Sequence, residues 1–183
     1  MGDDEVTAQR LELKLPSPLI EIDDPVLRDR GVALLLKRDD LIHPEVPGNK
    51  WRKLKYNLRA MAQTGASTLL TFGGAYSNHI RATAAVARKT GLRSIGVIRG
   101  EAHRELNSAL SFAERNGMVL DYLDRATYRQ KHSAELQREL RRKHGDFYLL
   151  PEGGSNLHAI PGCAEADPRP AHPPAAARNG DRR

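Results

Sequence analysis

The sequence has almost no cysteine, no long apolar run and no apolar leader, and each absence excludes a class of protein. Cys163 is the single cysteine among 183 residues, so an internal disulfide cannot form, and no residues at zinc-ligand spacing accompany it. No apolar run approaches the ~18–20 residues that a membrane-spanning helix needs. Residues 1–5 are mainly acidic, whereas a signal peptide begins with basic and then apolar residues. We therefore expect a cytoplasmic protein with no structural metal and no membrane contact.

Aromatic residues are also scarce, at 5% of the chain, although the net charge is +6. Much of the positive charge lies in residues 125–145, where arginine and lysine outnumber glutamate. Basic residues are favoured in the last turn of a helix by the helix dipole. No pattern of aromatic side chains that could stack on bases alternates with them. We therefore expect no nucleic-acid partner.

Four glycines occur at regular intervals and divide the middle of the chain into similar units. Gly65, Gly91, Gly117 and Gly145 are separated by 26, 26 and 28 residues, and each ends a helix-like stretch. The strand-like, mostly apolar stretches that follow them are residues 67–74, 93–100, 119–124 and 146–154. Such strands are typical of a sheet covered on both faces. The alternation predicts an α/β fold with an open parallel sheet and helices on both faces.

The turn FGGAYSNHIR, residues 72–81, is the first candidate ligand site, because ligands of open parallel sheets bind at the carboxyl ends of strands. Paired glycines lead there from a strand to a helix, with Ser77 or Asn78 as the N-cap. The free N–H groups of such a helix start suit a carboxylate or a phosphate. Alternatively, the glycines serve only a tight turn and Ser77 only the cap. PEGGSN, residues 151–156, is a second glycine turn with the same two interpretations.

Several other kinds of site are excluded by spacing. Ser77 and His79 lie two residues apart with no glycine after the serine, so a nucleophile elbow is absent. The sequence has neither a P-loop nor the G-x-G-x-x-G fingerprint. Asp40, His43 and Glu45 are close together but lack a metal-ligand spacing.

Lys50 follows a Pro-Gly-Asn turn and stands at the predicted start of a helix. An amine must lose its proton before it can attack a carbonyl, and the usual lysine pKa of ~10.4 leaves almost none in that form at neutral pH. The positive end of the helix dipole disfavours the ammonium form, and Arg52, Lys53 and Lys55 add to this effect. The position suits a nucleophilic lysine, although an ordinary solvated lysine is the alternative that the residues leave open.

Three motifs in one order carry a resemblance to a known family. They are KRDDL…PGNKWRKLKY, GGAYSNHIRATAAVA and PEGGSN, within roughly residues 15–160. Together they resemble the pyridoxal-phosphate enzymes that include D-cysteine desulfhydrase and 1-aminocyclopropane-1-carboxylate deaminase. This family has the tryptophan synthase β-subunit type of fold, called fold type II. The resemblance therefore implies the N-terminal part of such an enzyme, with pyridoxal 5'-phosphate as cofactor.

The resemblance also implies a role for each site residue. The family pattern G-N-K-x-R-K-L-x-Y places the Schiff-base lysine at Lys50 and makes Lys53 a lesser candidate for the cofactor phosphate. The pattern G-G-x-x-S-N-H/Q places Asn78 against the phenolic oxygen of the cofactor, and Ser77 with His79 around the substrate carboxylate. In the deaminase branch, the serine that matches Ser77 is implicated in catalysis.

The activity implied by the resemblance is that of a lyase or deaminase acting on a small amino acid, in a homodimer. Lys50 holds the cofactor as an imine, and the amine that the substrate frees moves the α-proton while the cofactor ring accepts charge. D-Cysteine gives hydrogen sulfide, pyruvate and ammonia, and the cyclopropane substrate gives 2-oxobutanoate and ammonia. The alternative is a non-catalytic remnant, or a cofactor-binding fragment without turnover.

The same resemblance divides the chain. It assigns residues 1–48 to a larger domain, and residues 49–160 to a small α/β domain and its return into the larger one. Residues 161–183 are rich in proline and alanine without periodicity, so we expect a disordered tail there. Because the family continues well beyond PEGGSN, we expect a C-terminally truncated chain, with the reading frame disrupted just after residues 162–165.

Overall fold

The structure, a computed structural model, describes residues 9–102 and 104–166. Its strands are β1 (Leu19–Ile22), β2 (Leu34–Lys37), β3 (Thr68–Gly74), β4 (Arg93–Arg99), β5 (Met118–Leu123) and β6 (Tyr148–Leu150). The last four form one parallel sheet in the order β5-β4-β3-β6. The long central strands β3 and β4 pair along their whole length, from Thr68 opposite Arg93 to Gly74 opposite Arg99. The predicted α/β fold with an open parallel sheet is therefore confirmed.

Seven α-helices of the described residues connect and cover these strands. They are α1 (Pro25–Asp29), α2 (Lys50–Thr64), α3 (Asn78–Thr90), α4 (Ser108–Arg115), α5 (Arg125–Arg129), α6 (Ala134–His144) and α7 (Ala159–Ala164). Two short 3₁₀ turns occur at Asp39–Leu41 and Glu152–Gly154. No helix in the described part of the chain is both long and apolar enough to cross a membrane.

The regularly spaced glycines lie where the sequence pattern places them, just after helices. Gly65, Gly91, Gly117 and Gly145 have φ values of 70°, 73°, 80° and 77°. A residue with a side chain adopts this left-handed backbone at a cost, whereas glycine adopts it readily and lets the chain turn out of the helix. These turns return the chain to the amino-terminal edge of the sheet, so every strand of the parallel sheet runs the same way.

Helices cover both faces of the parallel sheet, as the continuous apolar strands indicated. On one face, α3 packs close to the sheet because four of its residues are fully buried alanines: Ala82, Ala84, Ala85 and Ala87. On the other face, Leu136 and Leu140 of α6 pack with Leu70, Phe72 and Val97 of the sheet. The carboxyl ends of β3, β4 and β5 are thereby left between two layers of helices.

β1 and β2 form a separate antiparallel pair outside the parallel sheet. Leu35 and Leu36 of β2 are about half exposed. The segment that follows is tied to α2 by a half-buried ion pair between Asp39 and Arg52, in which Ser17 donates to the carboxylate at 2.7 Å. The assignment of residues 1–48 to a larger domain stays a prediction.

The tail predicted from residue 161 begins too early, because residues 159–164 form α7 and this helix packs on α2. Glu165, just beyond the helix, accepts hydrogen bonds from Lys55 and Tyr56 of α2. Gly162 is buried against the carbonyl oxygen of Arg52. The sequence missed this contact because it depends on one small residue and one carboxylate in an otherwise low-complexity stretch. Residues 167–183 lie outside the described residues.

Gly162→Ala tests the packing of α7, because a Cβ at this position overlaps the backbone oxygen of Arg52. Backbone cannot rotate away as a side chain end can, so we expect the unfolding free energy to fall by about 1–3 kcal/mol. Urea denaturation measures the change. Ala164→Ser, at an exposed position of the same helix, should change the unfolding free energy by less than about 0.5 kcal/mol. Equal stability of Gly162→Ala and the parent chain would show that α7 does not pack in this way.

Candidate active site

Lys50 is the first residue of α2, as the sequence predicts, and it follows Gly48, whose φ is 60°. Its side chain is half-buried, and Nζ donates to Oδ1 of Asn49 at 3.2 Å. Burial lowers the pKa of the Lys50 amine, and the nearby charge of Lys53 lowers it further. The amine therefore loses its proton more readily than that of a solvated lysine.

The cause of this pKa shift differs from the one that the sequence suggested. Burial comes first, and Lys53 is the charge that contributes, while Arg52 and Lys55 do not. Arg52 lies in the ion pair with Asp39, and Lys55 binds Glu165 at 2.8 Å. Their charges are thus largely compensated on the opposite side of the helix. The sequence could not distinguish the paired cations of α2 from the unpaired ones.

The Ser-Asn-His turn stands at the start of α3. Ser77 is the N-cap, and its Oγ accepts a hydrogen bond from the N–H of Ile80 at 3.3 Å. Asn78 is exposed and His79 is buried. Ser77 is the cap that the sequence predicts, and the N–H groups of Asn78 and His79 are left without partners inside the helix. Its role toward a substrate stays a prediction.

His79 is held in one orientation by the sheet beneath it. Its Nε2 lies 2.8 Å from Oγ1 of Thr71, a fully buried residue of β3, and Thr71 Oγ1 lies 3.5 Å from the carbonyl oxygen of Pro151. When Thr71 donates to Pro151, it accepts from His79, so the ring proton lies on Nε2 and Nδ1 presents a lone pair. Nδ1 has no hydrogen-bond partner among the described residues, although it is buried.

Burial lowers the pKa of His79 to about 3, and the charges of Lys50 and Lys53 contribute in that order. The imidazole is therefore neutral at physiological pH. The effect also shows that both lysines of the predicted site lie close to the ring. His79 and Lys50 belong to different motifs, separated by β3, and the fold brings them together. Lys50 makes no hydrogen bond to the Ser-Asn-His turn within the described part of the chain.

The PEGGSN loop closes over this histidine. Gly154 has a φ of 69°, and a Cβ on it would lie 3.2 Å from Cε1 of His79 and 3.4 Å from Cβ of Lys53. The next residue, Ser155, accepts a hydrogen bond from Nζ of Lys53 at 2.8 Å. The loop therefore contacts both α2 and the Ser-Asn-His turn. Among the predicted site residues, the structure thus brings together Lys50, Lys53 and His79.

Asn57 of α2 anchors the PEGGSN loop. It is fully buried, and its amide exchanges hydrogen bonds with the amide of Asn156, at 2.8 Å and 3.1 Å. Tyr148 of β6 donates to the same Asn57 oxygen at 3.0 Å. Sequence reasoning missed the supporting residues Thr71, Ser155 and Asn156. Asn156 is the last residue of PEGGSN, a motif already singled out in the sequence. That position is the one signal that could have identified it.

Comparisons with known proteins agree with this geometry. No family model matches the chain. The D-cysteine desulfhydrase of Klebsiella pneumoniae is 34% identical over 166 residues, which are 86% of this chain and 49% of that protein. A Thermotoga maritima protein named "Putative 1-aminocyclopropane-1-carboxylate deaminase" is 34% identical over 149 residues, 80% of this chain and 47% of that protein.

Solved structures show the same fold. The crystal structure of an ACC deaminase homologue has a TM-score of 0.69 at 28% identity and covers 91% of this chain and 52% of that one. Serine racemase of Dictyostelium discoideum has a TM-score of 0.63 at 17% identity, with coverage of 90% and 50%, and shows likeness of fold alone. The fold is that of part of a fold-type II pyridoxal-phosphate enzyme.

Within this class, the resemblance found in the sequence is confirmed. The chain is homologous to the family that contains 1-aminocyclopropane-1-carboxylate deaminase and D-cysteine desulfhydrase. It spans about half the length of the curated relatives it matches.

The low pKa of His79 predicts how stability depends on pH. The folded-state pKa, about 3, lies below the unfolded value of about 6.5. Below pH 6.5 the unfolded chain therefore takes up a proton that the folded chain does not, and the unfolding free energy falls by about 1.4 kcal/mol per pH unit toward pH 3. Urea denaturation of the parent chain and His79→Gln at several pH values measures this contribution as a difference.

We expect the gap in unfolding free energy between the parent chain and His79→Gln to narrow steadily from pH 7 to pH 5. The exposed residue His132 provides the control, since His132→Gln should follow the parent chain over this range. A constant gap for His79→Gln would mean that His79 is not buried in its neutral form.

Proposed function

We propose that the chain carries the lysine-bearing part of the active site of a pyridoxal-phosphate-dependent lyase or deaminase that acts on a small amino acid. One observation carries the proposal: three separate motifs meet around the buried ring of His79, through Lys53, Gly154 and the nearby charge of Lys50. The homology to enzymes named as deaminase and desulfhydrase supports it.

The residues present fit pyridoxal phosphate. Lys50 is half-buried with a lowered pKa, which suits covalent attachment to an aldehyde. Nδ1 of His79 is a buried acceptor without a partner, so it is ready for a donor that the chain itself does not supply. When bound, the cofactor supplies an electron sink for negative charge that develops on the substrate.

Each residue of the site then has a defined task. Lys50 provides the attachment point and, once released, an amine that can take up and return a proton. Asn78, exposed at the start of α3, donates to the oxygen on the cofactor ring. The Ser77 hydroxyl and the free backbone N–H groups of Asn78 and His79 would orient the substrate carboxylate, while Nδ1 of His79 would accept from a donor. Lys53 lowers the pKa of Lys50 and is a second cation for the phosphate.

The substrate class follows from the relatives and from the charge of the site. Lys50 and Lys53 have no carboxylate partner in the part of the chain that the structure describes, which favours a ligand that brings negative charge. D-Cysteine and 1-aminocyclopropane-1-carboxylate, small amino acids named in the relatives' activities, both meet this requirement. A second candidate is cofactor binding without turnover, which predicts attachment of the cofactor with no consumption of substrate.

Lys50→Ala tests the attachment point. Titration of the parent chain with pyridoxal phosphate should produce a visible absorption band, and treatment with borohydride should fix the cofactor mass on the chain. In Lys50→Ala we expect the band and the fixed mass to fall at least tenfold, because the substitution removes the half-buried amine whose pKa is lowered. Mass spectrometry of peptides locates the modified residue.

Lys14→Ala is the matched control, because Lys14 is exposed on the protein surface and should leave the band unchanged. Retention of the band in Lys50→Ala would refute the role of Lys50. A normal band with no consumption of D-cysteine or 1-aminocyclopropane-1-carboxylate would favour the candidate without turnover. Coupled assays for pyruvate, 2-oxobutanoate and ammonia separate these outcomes.

A further inference from the structure

A second polar region lies at the carboxyl ends of β3, β4 and β5, away from Lys50. A cavity of about 650 Å³ is lined there by residues at or just after the ends of these strands, among them Tyr76, Gly100 and Tyr122. A smaller cavity of about 320 Å³ adjoins it and shares Arg99 and Arg125 with it. This edge is where open parallel sheets bind ligands, and volumes of 300–1,000 Å³ are typical of sites for small molecules.

The smaller cavity is strongly basic. Four cationic side chains line it, from β4, α5 and the turn after α5: Arg99, Arg125, Arg129 and Lys131. Glu152 is the one acidic residue of the lining, and it lies 3.3 Å from Nζ of Lys131. Arg125 and Arg129 have no ion pair or hydrogen bond from their side chains to any other described residue. Three positive charges of the lining are therefore not compensated by a carboxylate.

A buried hydroxyl faces this cluster without a partner. Tyr128 lines the cavity and is only 2% exposed, and no described residue lies in hydrogen-bond geometry with its hydroxyl. Burial and the nearby carboxylate of Glu152 raise the pKa of Tyr128, so Glu152 competes with an incoming anion for this hydroxyl. Phe72 holds the ring edge-on at a centroid distance of 5.8 Å, while Arg99 and Lys131 lie over its face at 5.9 Å and 5.0 Å. A buried hydroxyl without a partner is costly, and an anion oxygen in the cavity would accept from it.

We propose that this cavity binds a phosphorylated small molecule, with the phosphate between Arg125, Arg129 and the Tyr128 hydroxyl and the organic part in the larger cavity beside Tyr76 and Tyr122. Arginine forks match the oxygens of a phosphate with paired hydrogen bonds. Three uncompensated charges suit a dianionic phosphate better than a single carboxylate. The phosphate position proposed here uses residues other than those of the function proposed for Lys50: Glu152 lines this cavity, whereas Ser155 binds Lys53.

The carboxylates near the two cavities do not weaken this assignment. Asp124 is occupied as the cap of α5, since its Oδ1 accepts from the N–H groups of Ala126 and Thr127. Glu101 and Asp124 line the larger cavity together with Arg99 and Arg125, whereas Arg129 and Lys131 line only the smaller one. Glu152 is matched by Lys131. The smaller cavity therefore keeps its positive charge when the neighbouring acids are included.

The experiment uses inorganic phosphate and pyrophosphate as probes of the 183-residue chain, with binding measured by isothermal titration calorimetry and ³¹P NMR. The double substitution Arg125→Gln, Arg129→Gln should raise the Kd for pyrophosphate at least tenfold. Tyr128→Phe keeps the ring and removes the hydroxyl, and it should raise the Kd about tenfold through the lost hydrogen bond to a charged group. Circular dichroism confirms that each variant is folded.

Arg138→Gln, Arg142→Gln is the matched control, because it removes the same charge from the exposed surface of α6. Unchanged affinity in this control together with the loss in the cavity variants would support the site. An equal loss in the control would show diffuse attraction by net charge, which overturns the proposal. Loss of pyrophosphate binding in Lys50→Ala but not in the cavity variants would place the ion at the lysine site and also overturn it.

Discussion

The close approach of Gly154 to the ring of His79 is the contact on which the candidate site depends. Gly154 combines a φ of 69° with a position where a Cβ would press on both His79 and Lys53. Any other residue there is strained and crowded. Because the loop can approach so closely, Ser155 reaches Nζ of Lys53 and Asn156 reaches Asn57. Gly154 thus allows α2, the Ser-Asn-His turn and the loop after β6 to pack together.

The charges of α2 are divided between the two sides of the helix. Arg52 and Lys55 face the rest of the chain, where Asp39 and Glu165 neutralise them, and Lys50 belongs to the other side. Cations held together near a neutral histidine without a carboxylate cost stability, and such costs are typical of functional sites. We expect a ligand that brings negative charge to recover this cost. One face of α2 therefore packs against the rest of the chain, and the other carries the charges on which the proposed function depends.

The sequence predicts the fold well because local signals and global topology agree. Gly65 and Gly91 end helices, Ser77 caps α3, and the apolar strands lie inside a parallel sheet. Parts of the site were not predictable. Thr71 is an ordinary strand residue until the fold places it under His79, and the main cause of the Lys50 pKa shift is burial, which no local pattern reveals. The position of Thr71 under His79 and the burial of Lys50 both arise from contacts between segments that are distant in the sequence.

The PEGGSN loop links the lysine site with the basic cavity, because its residues contact both. Glu152 pairs with Lys131 on the cavity side, and three residues later Ser155 binds Lys53 on the lysine side. An anion that drew Lys131 away from Glu152 would remove one restraint on this short turn, which also holds Ser155 against Lys53. We therefore expect ligands at the two proposed sites to affect each other's affinity, and a coupling of this kind is reciprocal.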